Sequence, residues 1–584
     1  MPCCMARRSR YGTSRPAARP FKSERMIRPA PPWRTGLFAF GLLAWAGLAM
    51  ADPFGDLATS EFQVNTHTPN DQRIPSIGAD AQGNSLVVWQ SRNQDGPGWG
   101  IHGQRFDAVP EPVGEEFRLN EFNERSQDGP HVSMQPDGAF RVSWSGPVRV
   151  TTRPEIIKRR FDAAGQPQVG DQKVGQTVDN LQILARGAVR ADGGYVVAWE
   201  ARGVTNETFN ILARHFDANG QALTPVTQIN QFDASAQRRA SVAVNDGGDQ
   251  VIAWQSSGQD GSDWGIFARC MSFAGDGGDE FLVNQTTEGG QARPRVAMAD
   301  DGRFAIVWQD NMGMSSVSYQ RSMIRLYDQH CQPLTDELQV NQFDEGIQDL
   351  PDIAIDGHGV YVVVWHSFMP EFEDQGIYGR RVNAQGQFVG DEFKISQEVE
   401  AFQDFPAVTG MPDGGFMVAW ETAGQDGSGF GIFARRFFGP GPAALNVFSG
   451  AAQQTPVDQD FPEPLRIRLQ DQWGQPIAGR VVRLETSEFG PGVVFEGGQT
   501  VIERVTDDAG EIQVMISANG RPGAHELTVR LVDGEIEQTV NLVNLGIHDP
   551  PLPVPLGGYW WLLLVFMCWY FACGNLGKNP SRVK

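Results

Sequence analysis

Cysteine is scarce in the body of this chain. Of six Cys in 584 residues, Cys3 and Cys4 lie at the extreme amino end and Cys568 and Cys573 in an apolar tail, which leaves Cys270 and Cys331. Two cysteines exclude a disulfide-built scaffold and leave their own pairing open. Positive charge is also short: 48 Lys+Arg face 70 Asp+Glu, a formal net charge of -22. Residues 1–51 hold nine Lys or Arg and one Glu, so the rest of the chain carries about -30. Phosphate backbones need basic partners, so nucleic acid is excluded as a ligand. Such a surface suits a soluble exported protein or one that binds cations. The nine His show no metal-ligand spacing such as His-Glu-x-x-His, and there is no Gly-x-Ser-x-Gly elbow. No catalytic constellation stands out. Short Val-rich runs between recurrent Gly and Pro turns read as all-β.

One stretch occurs seven times. It ends in Trp89, Trp144, Trp199, Trp254, Trp308, Trp365 and Trp420, spaced by 55, 55, 55, 54, 57 and 55 residues. A Gln stands 17 positions before each Trp, from Gln72 and Gln127 to Gln403, and a Gly stands 6 positions before it, from Gly83 to Gly414. A fixed period of this size means a solenoid, a propeller or an array. The first copy shows four short strands: one through Ile77 and Ala79, the run Leu86-Val87-Val88-Trp89, one from Ile101 to Asp107, and Glu116 to Asn120. Four strands per repeat is the cue of a propeller blade. The Phe-x-Val-Asn strand, as at Phe281 to Asn284, is missing after the seventh copy but has a spare copy at Phe62 to Asn65. A ring predicts that this segment supplies the last blade's fourth strand and so hides its edge. The repeats resemble those of secreted bacterial β-propellers and define a seven-bladed unit over residues 60–438. The Trp are expected between neighbouring blades, the Gly at φ > 0 turns, and the Gln near the central channel with their amides on neighbouring backbone.

Few residues invite a chemical role. Repeats one, four and seven share Gln-Asp-Gly after the Trp, and repeat four adds a further Asp. Asp95, Asp260, Asp263 and Asp426 are therefore the candidate ligands for calcium, the one cofactor the chain suggests, although the full Asp-x-Asp-x-Asp-Gly series is absent. The competing reading is an ordinary Asp-Gly turn.

The two ends carry addresses. Arg28 and Arg34 precede an apolar run from Gly36 to Leu48, then Ala49-Met50-Ala51, the parts of a secretory signal over residues 1–51. Residues 1–25 read as an extension upstream of Met26, and the mature chain is expected to begin at Asp52. Residues 443–545 resemble a bacterial Ig-like domain of group 1, the invasin/intimin type. The likeness rests on Gly450 to Gln454, Leu465 to Gly479, Thr506 to Gly510 and Gly523 to Val529, and it implies a β-sandwich spacer or adhesion module without catalytic residues. A Pro-rich linker, 546–556, leads to an apolar segment, 557–573, and a basic tail, 574–584. The three together are similar to Gram-negative C-terminal sorting signals, except that Val554-Pro555-Leu556-Gly557 departs from the usual motif. The segment equally reads as a single transmembrane helix.

The expectation is an exported protein anchored at the cell surface, in which a propeller head on an Ig-like stalk binds an extracellular glycan or protein, as in adhesion. The rivals are a propeller enzyme acting on extracellular glycans and a structural component of the envelope. A carboxylate cluster with shifted pKa at the channel favours the enzyme; an exposed aromatic patch there favours binding.

Overall fold

The computed structural model describes residues 58–546, apart from 148–153, 176–180, 203–207, 312–318, 345, 370–373, 399–400, 440–443, 472–475, 478, 488, 508 and 533–535. The signal, linker, apolar segment and basic tail expected at the two ends lie outside the described residues. Among those described, no helix is long and apolar enough to cross a membrane. The fold is all-β, with seven four-stranded antiparallel sheets before residue 440.

Each sheet spans one sequence repeat. Sheet one holds Gln72–Ala79, Ser85–Arg92, Trp99–Phe106 and Pro112–Arg118. Sheet four, with Gln237–Val244, Asp249–Ser257, Trp264–Ser272 and Phe281–Leu282, repeats the plan. In sheet seven, Gln403–Gly410, Phe416–Ala423 and Phe430–Phe437 are completed by Phe62–Gln63, with Phe62 opposite Ala434. The first strands of successive sheets touch in order, and the seventh touches the first, so the sheets close into a ring.

The repeated residues explain the closure. All seven Trp are buried, at 0–1% exposure. Trp254 of sheet four packs on Val196, Ala198 and Ile211 of sheet three, so the indole fills the seam between neighbours. Each marker Gly has positive φ, from 77° at Gly359 to 93° at Gly248, which a Cβ would oppose. A further link joins the sheets: Arg159, Arg214, Arg269, Arg325, Arg380 and Arg435 each donate to a carbonyl at the outer edge of the preceding sheet, as Arg214 Nη1 does to Val174 O at 2.9 Å. The Gln differ from expectation. Gln72, Gln127, Gln237 and Gln403 are fully buried at the start of the first strand rather than lining the ring's interior. Their amides do reach backbone, but Gln127, Gln237 and Gln348 also accept the indole N–H of their own sheet's Trp, at 2.7–2.9 Å.

Cys270, on the third strand of sheet four, is disulfide-bonded to Cys331 in a turn of sheet five, with Cα atoms 6.6 Å apart. After the ring, Ala444–Ser449, Leu465–Gln470 and Glu511–Val514 form one sheet, and five strands including Val481–Thr486, Gly523–Leu531 and Glu537–Leu545 form another. Alternate residues such as Leu465, Ile467, Leu469, Val482 and Leu484 face one shared core.

Candidate functional site

The interior of the ring is built by an irregularity present in every first strand. Register with the second strand breaks between the residues one and four positions after the Gln: Arg73/Ser76, Asp128/His131, Ile183/Arg186, Arg238/Ser241, Ala292/Arg295, Asp349/Asp352 and Asp404/Ala407. The residue two after the Gln has positive φ in all seven sheets: Ile74 (55°), Gly129 (64°), Leu184 (55°), Arg239 (59°), Arg293 (56°), Leu350 (54°) and Phe405 (49°). The next residue is Pro in five sheets, at Pro75, Pro130, Pro294, Pro351 and Pro406, where the bulge asks for no ladder N–H. Left-handed backbone at a β-branched Ile is costly and persists only where its surroundings enforce it.

In five of the seven seams the enforcement comes from the residue after the Trp. It caps the strained N–H of the next sheet: Gln90 for Gly129 (2.9 Å), Ser145 for Leu184 (3.0 Å), Glu200 for Arg239 (2.6 Å), Gln255 for Arg293 (2.9 Å) and Glu421 for Ile74 (2.8 Å). Glu200 also binds Arg238 Nε at 2.5 Å, and Glu421 pairs with Arg73 in the same way across the ring closure. The closing seam is thus built like an internal one.

Four residues after each Gln stand Ser76, His131, Arg186, Ser241, Arg295, Asp352 and Ala407. Together they line a cavity of about 130 Å³ to which all seven first strands contribute. Ser76, His131, Ser241 and Asp352 each accept a backbone N–H from the next sheet, from Val132, Gly187, Val296 and Val408, at 3.0–3.2 Å. His131 accepts through Nδ1, which fixes the neutral tautomer with its proton on Nε2. Burial first, then Arg186 and Arg295, hold its pKa well below the usual value. Arginine cannot accept, so Arg186 and Arg295 bring only positive charge. A second cavity of about 70 Å³ shares Ile74, Arg186, Arg295 and Phe405 with the first and adds Arg239 and Arg293.

Asp352 is the one carboxylate lining either cavity. Its Oδ1 lies 3.6 Å from Arg295 Nε, and its side chain keeps 22% exposure. Burial raises its pKa; Arg295, the Val408 N–H and Arg186 pull the other way without cancelling that rise. One step along the strands, His366 Nδ1 lies 2.9 Å from Asp349 Oδ1. Asp404, beside His366, is also raised, by burial first. The ring therefore holds carboxyls tuned upward, a neutral His and more guanidiniums than the one lining carboxylate can neutralise: acid–base groups beside cations that stabilise developing negative charge.

The candidate calcium ligands are not brought together. Asp95, Asp260 and Asp426 occupy equivalent loops of three different sheets, and each pairs with an Asn of the outer strand: Asn120 at 2.9 Å, Asn284 at 3.4 Å and Asn65 at 3.2 Å. Asp260 and Asp426 also accept the N–H two residues on, the ordinary turn. The backbone carbonyl of Asp263 accepts the Gly258 N–H at 2.6 Å. Among the described residues no group of three His, Cys, Asp or Glu could hold a metal ion. The cavity residues do not stand out in the repeat pattern, because they are positions at which the repeats differ. The available signal was that difference: four places after an unvarying Gln, the residue changes from Ser to His, Arg, Asp and Ala.

No family model matches the chain, and no curated protein matches its sequence. Solved structures align with it at low similarity. It is similar to an ulvan lyase described as a new family of polysaccharide lyase, at 10% identity over 64% of this chain and 95% of that one, with a TM-score of 0.41. It is similar to an α-L-arabinofuranosidase of Fusarium graminearum, at 9% identity over 65% and 98%, TM-score 0.36, and to a protein of unknown function from Dyadobacter fermentans, at 9% over 65% and 98%, TM-score 0.40. The activities named among them are cleavage of glycans, not adhesion, and the expectation of a binding or adhesion protein is corrected accordingly. The likeness assigns no role to any residue here; the cavity's own chemistry has to do that.

Proposed function

We propose that residues 60–438 are a seven-bladed β-propeller that cleaves extracellular glycans, with Asp352 as the group that takes and returns the proton. One observation carries this: the single carboxylate lining the central cavity is raised in pKa by burial and presents part of its side chain to that cavity, beside the His131 imidazole and the Arg295 guanidinium. A carboxyl shifted upward in a concave site is the form acid–base chemistry uses. Arg295 sits where it can stabilise negative charge that develops as the sugar reacts. Export through the signal at residues 1–51, an Ig-like spacer at 443–545 and a membrane tether at 557–573 would place this activity outside the cytoplasm, on a glycan substrate. The test is a polysaccharide screen with the secreted chain, reading both new reducing ends, for hydrolysis, and the ultraviolet absorbance of a new C=C bond, for elimination. Asp352→Asn should abolish the product that wild type makes while leaving the melting temperature within a few degrees. Absence of cleavage across the screen, or an Asp352→Asn variant as active as wild type, refutes the reading.

A further inference from the structure

We propose that Arg186, Arg239, Arg293 and Arg295 form an arc that recognises an anionic group on the sugar, a uronate carboxylate or a sulfate ester. This rests on the reading of the cavity as a glycan site and narrows it to acidic glycans.

The four arginines come from consecutive sheets, three, four and five, and they line the two joined cavities. Asp352, from sheet six, is the one carboxylate that lines the cavities with them, while Glu200 acts on Arg239 and Asp404 on Arg293 from outside the lining. Glu200 is engaged elsewhere, with Arg238 Nε and the Arg239 N–H, and the cap on Arg293 is the neutral Gln255. Among the described residues the guanidiniums of Arg186, Arg239 and Arg293 donate no hydrogen bond, so their forks are free for a ligand. Burial, then Arg186, pushes Arg295 down to about 9, and burial lowers Arg186 and Arg239 as well. Arg186 and Arg295 repel one another, as do Arg239, Arg293 and Arg295, and Asp352 and Glu200 offset only part of the charge that four guanidiniums bring together.

The ring does not need these charges. Sheets one and seven put Ser76 and Ala407 at the positions of Arg186 and Arg295, and Ile74 and Phe405 at those of Arg239 and Arg293, and they close equally well. Guanidinium is also the side chain whose planar fork matches carboxylate and sulfate oxygens. A chain carrying about -30 outside its leader repels polyanions at long range. The partner is therefore read at short range, as a sugar that places one acid at a time into a narrow enclosed site.

Calorimetric titration of the secreted chain tests this with four probes: a galacturonate trisaccharide, a sulfated galactose trisaccharide, a neutral glucose trisaccharide and sodium sulfate. One or both acidic trisaccharides should bind at least about tenfold more tightly than the neutral one. The Arg239→Gln/Arg293→Gln double variant should lose about 10- to 100-fold of that affinity, along with much of its salt dependence. This variant relieves like-charge repulsion and should melt no lower than wild type; Arg239→Lys/Arg293→Lys, keeping charge without the fork, should fall between. Equal binding of the neutral sugar, unchanged binding by the glutamine variant, or binding of sulfate alone with neither acidic trisaccharide would overturn the proposal. Cleavage confined to neutral glycans would overturn the arc and keep the enzyme. Acidic sugars bound at the arc but no glycan cleaved would keep the arc and overturn the enzyme.

Discussion

Replacing Trp254 and Gln237 separately and together tests what holds one seam of the ring. The Trp254 indole is 0% exposed and lies among Val196, Ala198 and Ile211 of the preceding sheet and Ile252 of its own. A buried Trp removes about 150–250 Å² from water. Truncation to Ala in a close-packed seam leaves a cavity and costs about 3–5 kcal/mol. Gln237 is also 0% exposed; its Oε1 accepts the indole N–H at 2.9 Å, and its Nε2 donates to Ser235 O at 3.2 Å. Gln237→Ala strands that indole donor in a dry place, at about 1–3 kcal/mol. The two losses share one bond, so the double variant should fall short of the sum by about 1 kcal/mol. Urea unfolding gives each value as a shift in midpoint at equal slope. Trp254→Ala must be the more destabilising. The reverse order would make Gln237 the organising residue. Strict additivity would mean the bond contributes nothing. Negligible loss from either would remove the seam, and with it the ring, from the account.

Two further outcomes follow from the same structure. Burial raises Asp128 to about 6, well above an unfolded Asp near 3.9. The folded chain therefore binds the proton more tightly, and its stability falls as pH rises from about 4 to 6, then stays flat. Asp128→Asn should remove that slope and gain about 1–2 kcal/mol at pH 7 but little at pH 4; a variant less stable at pH 7 than wild type would show that the carboxylate has a partner. Deleting residues 52–66 removes the strand whose Asn65 Oδ1 accepts the Ile432 N–H at 2.7 Å and whose Glu61 accepts from the Gln425 amide and the Gln397 N–H. The melting temperature should drop sharply, and an unchanged melt would place the closure elsewhere.

The scaffold was legible because its chemistry is the same in every repeat. A Trp that must fill each seam, a Gly that must turn with positive φ and a Gln that must sit beside the indole leave a period of about 55 residues that composition cannot hide. The missing last Phe-x-Val-Asn strand and its spare copy at Phe62 likewise pointed to sheet seven. What could not be read was depth. Gln237 and Ser241 differ by four places, yet one is fully enclosed in the seam and the other faces the central cavity, because a bulge of two unpaired residues lies between them. Nothing in periodicity two announces that rotation. The Cys270–Cys331 bond was illegible for a similar reason: it joins a strand of one repeat to a turn of the next, 61 residues on. Asp95, Asp260 and Asp426 stand apart in loops of three sheets, a separation that the shared Gln-Asp-Gly motif does not reveal.

The same bulge explains why a repeat protein can carry a specific site. Seven copies of one strand would otherwise present seven identical side chains to the ring's axis. Here the strained residue is capped from the preceding sheet in five seams and followed by proline in five sheets, so its left-handed turn is held by contacts other than those of the side chain four places after the Gln. That side chain varies from Ser to His, Arg, Asp and Ala, with Ser76, His131, Ser241 and Asp352 each adding a bond across a seam, and it is the part of the strand that faces the enclosed space. The repeat supplies the frame; the departures from it, Asp352 facing Arg295 and Arg186 above all, supply the chemistry. In such a ring, positions that vary in residue type while their backbone stays constant are where a function should be sought first.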